Sequence, residues 1–297
     1  MNRAALLAAA AAWVVGARGA AGQECRPPTG SNEARLLAFY SAPVAFSPAE
    51  APERARAGAV RVVVEVAPVP VPPRSLEETS YCYTGDVAQS RLAAALPRPR
   101  VTLALPAGIA VEASYLPPVT VANATPNLAS LALSVARVVR GGASDAAARS
   151  ADGGTVVTLA LRAHGTFGTV KGPITCPRDG LQQTDPVGRC YGTAPSHDTF
   201  HPDMAGLEGI AGARRGGGRL GVYAGGGVTR LEPRFQVGFR DGNGALDQTR
   251  IRVSLTRGSL FGGATYRLGG GVDLSAQLYS VPADATTWRF AAAYRLR

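Results

Sequence analysis

From residue 219 to the end, the chain falls into short runs of alternating apolar and polar residues, separated by glycine, proline or aspartate. Leu274, Ala276 and Leu278 share one parity, and Asp273, Ser275, Gln277 and Tyr279 take the other. In the final run Trp288, Phe290, Ala292, Tyr294 and Leu296 alternate with Thr287, Arg289, Ala291, Ala293 and Arg295. Side chains of a strand point to its two faces in turn, so a period of two makes each run a strand with one apolar and one polar side. Upstream, the same reading gives strands over residues 60–66, 101–105, 109–116, 128–139, 155–170, 204–213 and 219–231, followed by 249–267, 271–280 and 286–296. Strands this numerous must pair and dispose of their edges, and closure into a barrel does both.

The N-terminus decides which solvent that barrel is expected to face. Arg3 is followed by the apolar run 4–15 and the small residues 19–22, the layout of a secretory signal peptide over residues 1–22. Beyond it no long uncharged apolar run occurs, so no helical membrane span is expected. Cys25 is not a lipidation site on this reading, because Gly22, Gln23 and Glu24 lack the apolar and small residues that should precede it. An exported chain of alternating strands fits an all-β, antiparallel, up-and-down transmembrane barrel of about ten strands (8–12), apolar outside and polar inside. The short connections at 106–108, 214–218 and 268–270 and the long ones at 68–99 and 171–203 then fall mostly on opposite ends, while 141–154 is long for its end.

Residues 23–58 form an irregular arm or plug-like segment ahead of the barrel domain, 59–297. Within it residues 33–40 carry the pattern of a short amphipathic helix, capped by Ser31 or Asn32 and ended by Pro43. Four cysteines in an exported chain point to two disulfides. Three connectivities are possible. Proximity favours Cys176 with Cys190 across one loop, leaving Cys25 with Cys82 to tie the arm to the first long loop.

The net charge of +10 is carried almost wholly by arginine and favours anionic partners such as lipopolysaccharide. Nucleic acid is not expected, because the arginines are scattered through strands and not clustered with aromatics. The polar faces place Arg61, Glu65, Glu112, Arg162, His164, Arg252, Asp273, Arg289 and Arg295 toward the lumen. They make either an ion-pair network that neutralises buried charge or a selectivity lining for an anionic solute, and the network is favoured because small barrels are commonly filled by side chains. His197 and His201, with Asp198 and Asp203, are weak metal-ligand candidates in a loop setting with no third ligand fixed by spacing, so no metal site is assigned. No cofactor is expected: the glycine strings 216–218 and 225–227 lack the Lys-Ser/Thr and helix of a phosphate loop.

The C-terminal half resembles small bacterial outer-membrane β-barrel proteins of the porin-like group. Residues 220–227 (Leu-Gly-Val-Tyr-Ala-Gly-Gly-Gly), 260–266 (Leu-Phe-Gly-Gly-Ala-Thr-Tyr) and 290–296 (Phe-Ala-Ala-Ala-Tyr-Arg-Leu) carry the likeness. The punctuation at 105–108 and 115–118 is similar, more weakly, to channels for long-chain hydrophobic substrates. The resemblance implies outer-membrane localisation, contact with outer-membrane lipids, a monomer, and recognition of the last strand by the barrel-assembly machinery; members usually end in phenylalanine, whereas this chain ends Leu296-Arg297. Porin-like passage of small or apolar solutes, or a structural membrane role, heads the functional readings. A soluble barrel binding a small hydrophobic ligand comes second. A barrel lipid hydrolase with His164 as base ranks last, since no serine and acid accompany it by any motif, and the protein is expected not to be an enzyme.

Overall fold

The computed structural model describes residues 24–79, 81, 82, 85, 86, 95–121, 123–141, 154–215 and 217–296; the expected signal peptide and most of the 141–154 connection lie outside them. Fourteen strands form one sheet. In chain order they are β1 (Glu24–Cys25), β2 (Val60–Pro68), β3 (Ala95–Ala104), β4 (Ile109–Leu116), β5 (Thr125–Arg140), β6 (Thr155–Gly172) and β7 (Asp198–His201), then β8 (Met204–Arg215), β9 (Leu220–Leu231), β10 (Arg234–Gln236), β11 (Arg250–Arg252), β12 (Leu255–Gly269), β13 (Val272–Val281) and β14 (Ala285–Leu296). Helix α1 (Asn32–Ser41) is the longest helix among the described residues.

Ten of these strands, β2–β6, β8, β9 and β12–β14, close into an up-and-down antiparallel barrel. Each pairs with the next one in the chain, and β14 returns to β2 through Tyr294↔Val62 and Ala292↔Val64. The alternation seen in the sequence becomes the two faces of the wall. Val64, Leu133, Leu161, Leu207, Leu260 and Trp288 are each more than half exposed on the outside, while their sequence neighbours Glu65, Arg162, Glu208, Ser259, Thr287 and Arg289 are buried within. An apolar belt of this extent has no place in water. It has the geometry of a lipid-facing wall.

Connections separate by length. At one end of the barrel lie the tight turns, including residues 106–108 and 270–271. At the other lie the described parts of the connections after β2 and β4, together with 173–203 and 232–254, the long-loop end. Strand β6, 18 residues long, continues beyond the wall at this end, where Val170↔Phe200 starts a side sheet in the order β6-β7-β10-β11-β1. This cap explains one difference from the sequence reading. Residues 249–267 were expected to be a single strand, but β11 belongs to the cap and β12 to the barrel, with Val253 and Ser254 between them.

The cap is tied down by Asp198. Its carboxylate accepts from the Ile174, Thr175 and Gly238 amides and from the Thr175 and Ser196 hydroxyls, at 2.6 to 2.9 Å. A buried acceptor so fully satisfied fixes two loops against one strand. Two disulfides, Cys176–Cys190 and Cys25–Cys82, close the same region.

Candidate functional site in the barrel lumen

Helix α1 sits under the cap. Ser31 caps it, its hydroxyl accepting from the Ala34 amide. Glu33 in the first turn accepts from the Tyr81 and Cys82 amides at 2.5 and 3.1 Å, and Asn32 donates to the carbonyls of Ser75 and Glu78. Burial raises the Glu33 pKa and these amide hydrogen bonds lower it; the bonds win, and the carboxyl lies below the usual glutamate range.

After α1 and a turn at 42–44 the chain runs through the lumen as an irregular segment to residue 55, and leaves at the tight-turn end, where Gly58 donates to the Ala104 carbonyl. It pairs with no strand, so its backbone carbonyls must find other donors. The wall supplies them, mostly from arginine. Val44 and Ala45 accept from Arg98 at 2.8 and 3.1 Å, Ala45 and Ala42 from Arg289 at 2.7 and 2.9 Å, and Ser47 from Arg100 at 2.7 Å. Phe46 accepts from Arg162, Pro48 from Gln277 at 2.8 Å and Ala49 from Ser275 at 2.5 Å. Every carbonyl from 44 to 49 therefore has a wall donor.

The same guanidiniums enclose the fully buried ring of Phe46, with the carbons of Arg100, Arg162 and Arg98 at 4.4, 4.9 and 5.7 Å from its centroid. Cations over a desolvated ring contribute about 0.5–2 kcal/mol each. Their charge is balanced by carboxylates. Glu65 pairs with Arg100, Glu112 bridges Arg100 and Arg162 at 2.9 Å each, and Glu208 lies 3.0 Å from Arg162. His164 Nε2 is 3.5 Å from Glu208, enclosed with it. Close approach is bought with glycine on the facing wall: a Cβ at Gly212 would lie 2.7 Å from Pro52 of the threaded segment, and one at Gly206 would lie 2.6 Å from His164 Nε2.

A second cluster closes the tight-turn end. Arg61 meets Glu50 at 3.2 Å and Asp273 at 2.7 Å, and Arg295 meets Glu53 at 3.1 Å and Asp273 at 2.7 Å. Arg267 lies 3.6 Å from Glu53. Glu50 and Glu53 belong to the threaded segment, so these pairs hold it where it leaves the barrel.

Of the residues proposed from sequence, Glu65, Glu112, Arg162, His164 and Arg289 belong to the buried network beside residues 42–49, and Arg61, Asp273 and Arg295 meet at the tight-turn end. Arg252 was expected in the lumen and is not there: it lies in β11 of the cap, half exposed and 3.6 Å from Glu24. Its parity was taken from a strand that breaks at Val253. His197 donates its amide to Gly238, and His201 lies in β7, its pKa lowered by burial and by Arg234. Among the described residues no group of three His, Cys, Asp or Glu could hold a metal.

Sequence reasoning missed Arg98, Arg100 and Glu208; it offered 23–58 as an arm or plug-like segment without assigning its partners in the wall. Pro97 and Pro99 made residues 97–99 look like loop. They are tolerated in β3 because its register with β4 begins only at Arg100↔Ser114, so no ladder bond is asked of them on that side. The shared parity of Arg98, Arg100 and Thr102 was the available signal.

Two cavities lie beside α1, and the second also touches Ala42 and Ala45 at the start of the threaded segment. One of about 60 Å³ lies between Leu36, Leu37 and Tyr40 of α1 and the cap residues Phe200, Phe235 and Val237. The other, of about 10 Å³, is bordered by Thr229 and Ser259, room for about one water.

No protein-family model and no curated protein matches the chain. Among solved structures, the attachment invasion locus protein Ail of Yersinia pestis, bound to the heparin analogue sucrose octasulfate, is 8% identical with a TM-score of 0.26, over 81% of this chain and 100% of that one. The outer-membrane protease OmpT of Escherichia coli is 8% identical with a TM-score of 0.39, over 80% and 94%. The outer-membrane protein Omp33 of Acinetobacter baumannii is 8% identical with a TM-score of 0.26, over 80% and 98%. Likenesses this distant carry no argument, and the assignment rests on the strand registers and the two faces of the wall. By that geometry the chain is a small ten-stranded β-barrel with the two-faced wall of a transmembrane barrel, its lumen threaded by its own N-terminal segment.

Proposed function

We propose that this protein is a closed outer-membrane barrel with a structural role, holding a disulfide-bonded cap at the cell surface, and that it is not a diffusion pore. The observation that carries this reading is the unbroken set of wall donors to the carbonyls of residues 44–49. A segment so bonded, with Phe46 among three arginines, fills the lumen at the level where a pore would need water. Porin-like passage would require this segment to leave, stranding Arg98, Arg100, Arg162 and Arg289 without those acceptors. The outward apolar belt supports a membrane over the soluble ligand-binding reading, in which the Leu/Val face would turn inward. Outer-membrane lipids are its surroundings, the assembly machinery its insertase, and the monomer its working form. His164 is buried in the wall beside Glu208, which favours a structural over a hydrolytic role.

Planar-bilayer recording of the refolded full-length protein tests the proposal. A flat baseline is expected from protein that shows heat-dependent mobility in detergent, the mark of a folded membrane barrel. Regular ohmic steps from such protein would sink the closed-barrel reading, and failure to enter bilayers or vesicles at all would sink the membrane reading. The variant His164→Ala is expected to leave lipid and ester hydrolysis assays at their blank.

A further inference from the structure

The two ends of the barrel differ in how their charge is balanced. At the long-loop end Arg230, Arg234, Arg257 and Arg252 pair with Glu232, Asp203, Asp284 and Glu24. The exposed Arg35, Arg74, Lys171, Arg178, Arg240 and Arg250, in no ion pair among the described residues, share that end with exposed acids, among them Glu78, Asp179 and Asp185. At the tight-turn end Arg61, Arg267 and Arg295 share Glu50, Glu53 and Asp273. Six further arginines there, Arg54, Arg56, Arg137, Arg140, Arg215 and Arg219, are exposed and in no ion pair among the described residues.

Their positions follow the rim of the apolar belt. Arg137 is on the outward parity of β5, between exposed Val135 and Val139. Arg140 stands opposite Val157, and Arg215 opposite Thr155 at the end of β8. Arg219 precedes the exposed Leu220, whose register partner is Tyr266. Arg54 and Arg56 come from the segment leaving the lumen, with Arg54 Cγ 3.8 Å from a Cβ built at Gly108 in the β3–β4 turn. The outward tyrosines Tyr266 and Tyr294, each nearly half exposed, occupy the same end. Aromatic residues flanked by arginine mark the level of lipid headgroups.

We infer that this rim binds the phosphates of anionic phospholipids in the leaflet that meets the tight turns, the periplasmic one if the barrel spans the outer membrane as proposed above. Guanidinium forks match phosphate oxygens with two parallel hydrogen bonds. Each basic side chain at an anionic surface strengthens binding roughly fivefold, an effect that salt screens. The surplus at this end also locates much of the net charge that the composition alone would have assigned to lipopolysaccharide on the other face.

The test uses full-length protein, delipidated in neutral detergent and offered equal phosphatidylglycerol and phosphatidylcholine of matched chains, with bound lipids counted by native mass spectrometry. Preferential retention of phosphatidylglycerol is expected, reduced at high salt. The variant Arg137→Gln/Arg140→Gln/Arg215→Gln/Arg219→Gln should lose it by at least tenfold, on the roughly fivefold scale per arginine, whereas Arg230→Gln/Arg250→Gln/Arg252→Gln at the other end should keep it. Should the first variant not fold, Arg54→Gln/Arg56→Gln, which touches no strand, is expected to lower the preference severalfold. Equal retention of both lipids overturns the inference, as does a preference that survives the rim variants or vanishes with the long-loop ones. Equal retention by a heat-modifiable protein leaves the closed-barrel reading standing; retention of neither lipid overturns both.

Discussion

Single residues in the lumen carry more than their side-chain class implies. Glu65 is buried beside Arg100, with Arg98 and Arg289 at 3.8 and 3.9 Å, so one carboxylate offsets charge on three guanidiniums. Replacing it by glutamine keeps the shape and removes the charge. Breaking one side of a buried network costs about 3–5 kcal/mol. Glu65→Gln is therefore expected to lower the temperature of the heat-dependent mobility transition clearly below that of the parent protein. Arg252→Gln, at a half-exposed position, should leave the transition unchanged, since exposed pairs are worth about 0–1 kcal/mol. The sequence listed both residues as equals on parity; burial separates them. Parity is a local property, and the depth at which a side chain sits is not.

Among elements, the cap is the part whose stability responds to acid. The Glu33 carboxyl ties α1 to the Tyr81 and Cys82 amides. Its folded pKa lies below the ordinary value of 4.5, so its contribution is complete above that pH and is lost as pH falls through the lower, folded value. Pepsin nicking near residues 74–82 is thus expected to accelerate as pH is lowered from about 5 toward 2, the range below the ordinary glutamate value. In Glu33→Gln this acceleration should flatten, with nicking already raised at the upper pH. An unchanged profile in the variant would remove Glu33 from the account. Helix α1 itself was legible from Ser31, its apolar spacing and Pro43. That it underpins a cap was not, because all of the cap strands but β1 and the end of β6 come from far along the chain, β7 starting at Asp198 and β11 ending at Arg252.

At the scale of the whole molecule, the path of the chain is the consequential feature. Cys25 is bonded to Cys82 and β1 pairs with β11 at the long-loop end, yet β2 begins at the tight-turn end. The segment between them must cross the full barrel. With the long loops outside, an epitope inserted at Pro28 is expected to be reached by antibody on intact cells, and one inserted in the 217–219 turn only after permeabilisation. The reverse pattern would invert the orientation. All ten wall strands, their order and their two faces follow from alternation and turn residues, because a strand's facing is set by a period of two and a meander pairs neighbours in sequence. What fills the barrel does not follow. Residues 42–55 carry no period, and their partners, from Arg61 to Arg295, are spread over the entire wall. Closure of the sheet alone brings those partners to one axis, and only there do the carbonyls of an irregular segment and the guanidiniums of separate strands satisfy each other. The sequence by itself determined a wall with an apolar outside and a polar inside; the tertiary structure decided that the chain's own backbone, over residues 44–49, is what the polar inside binds.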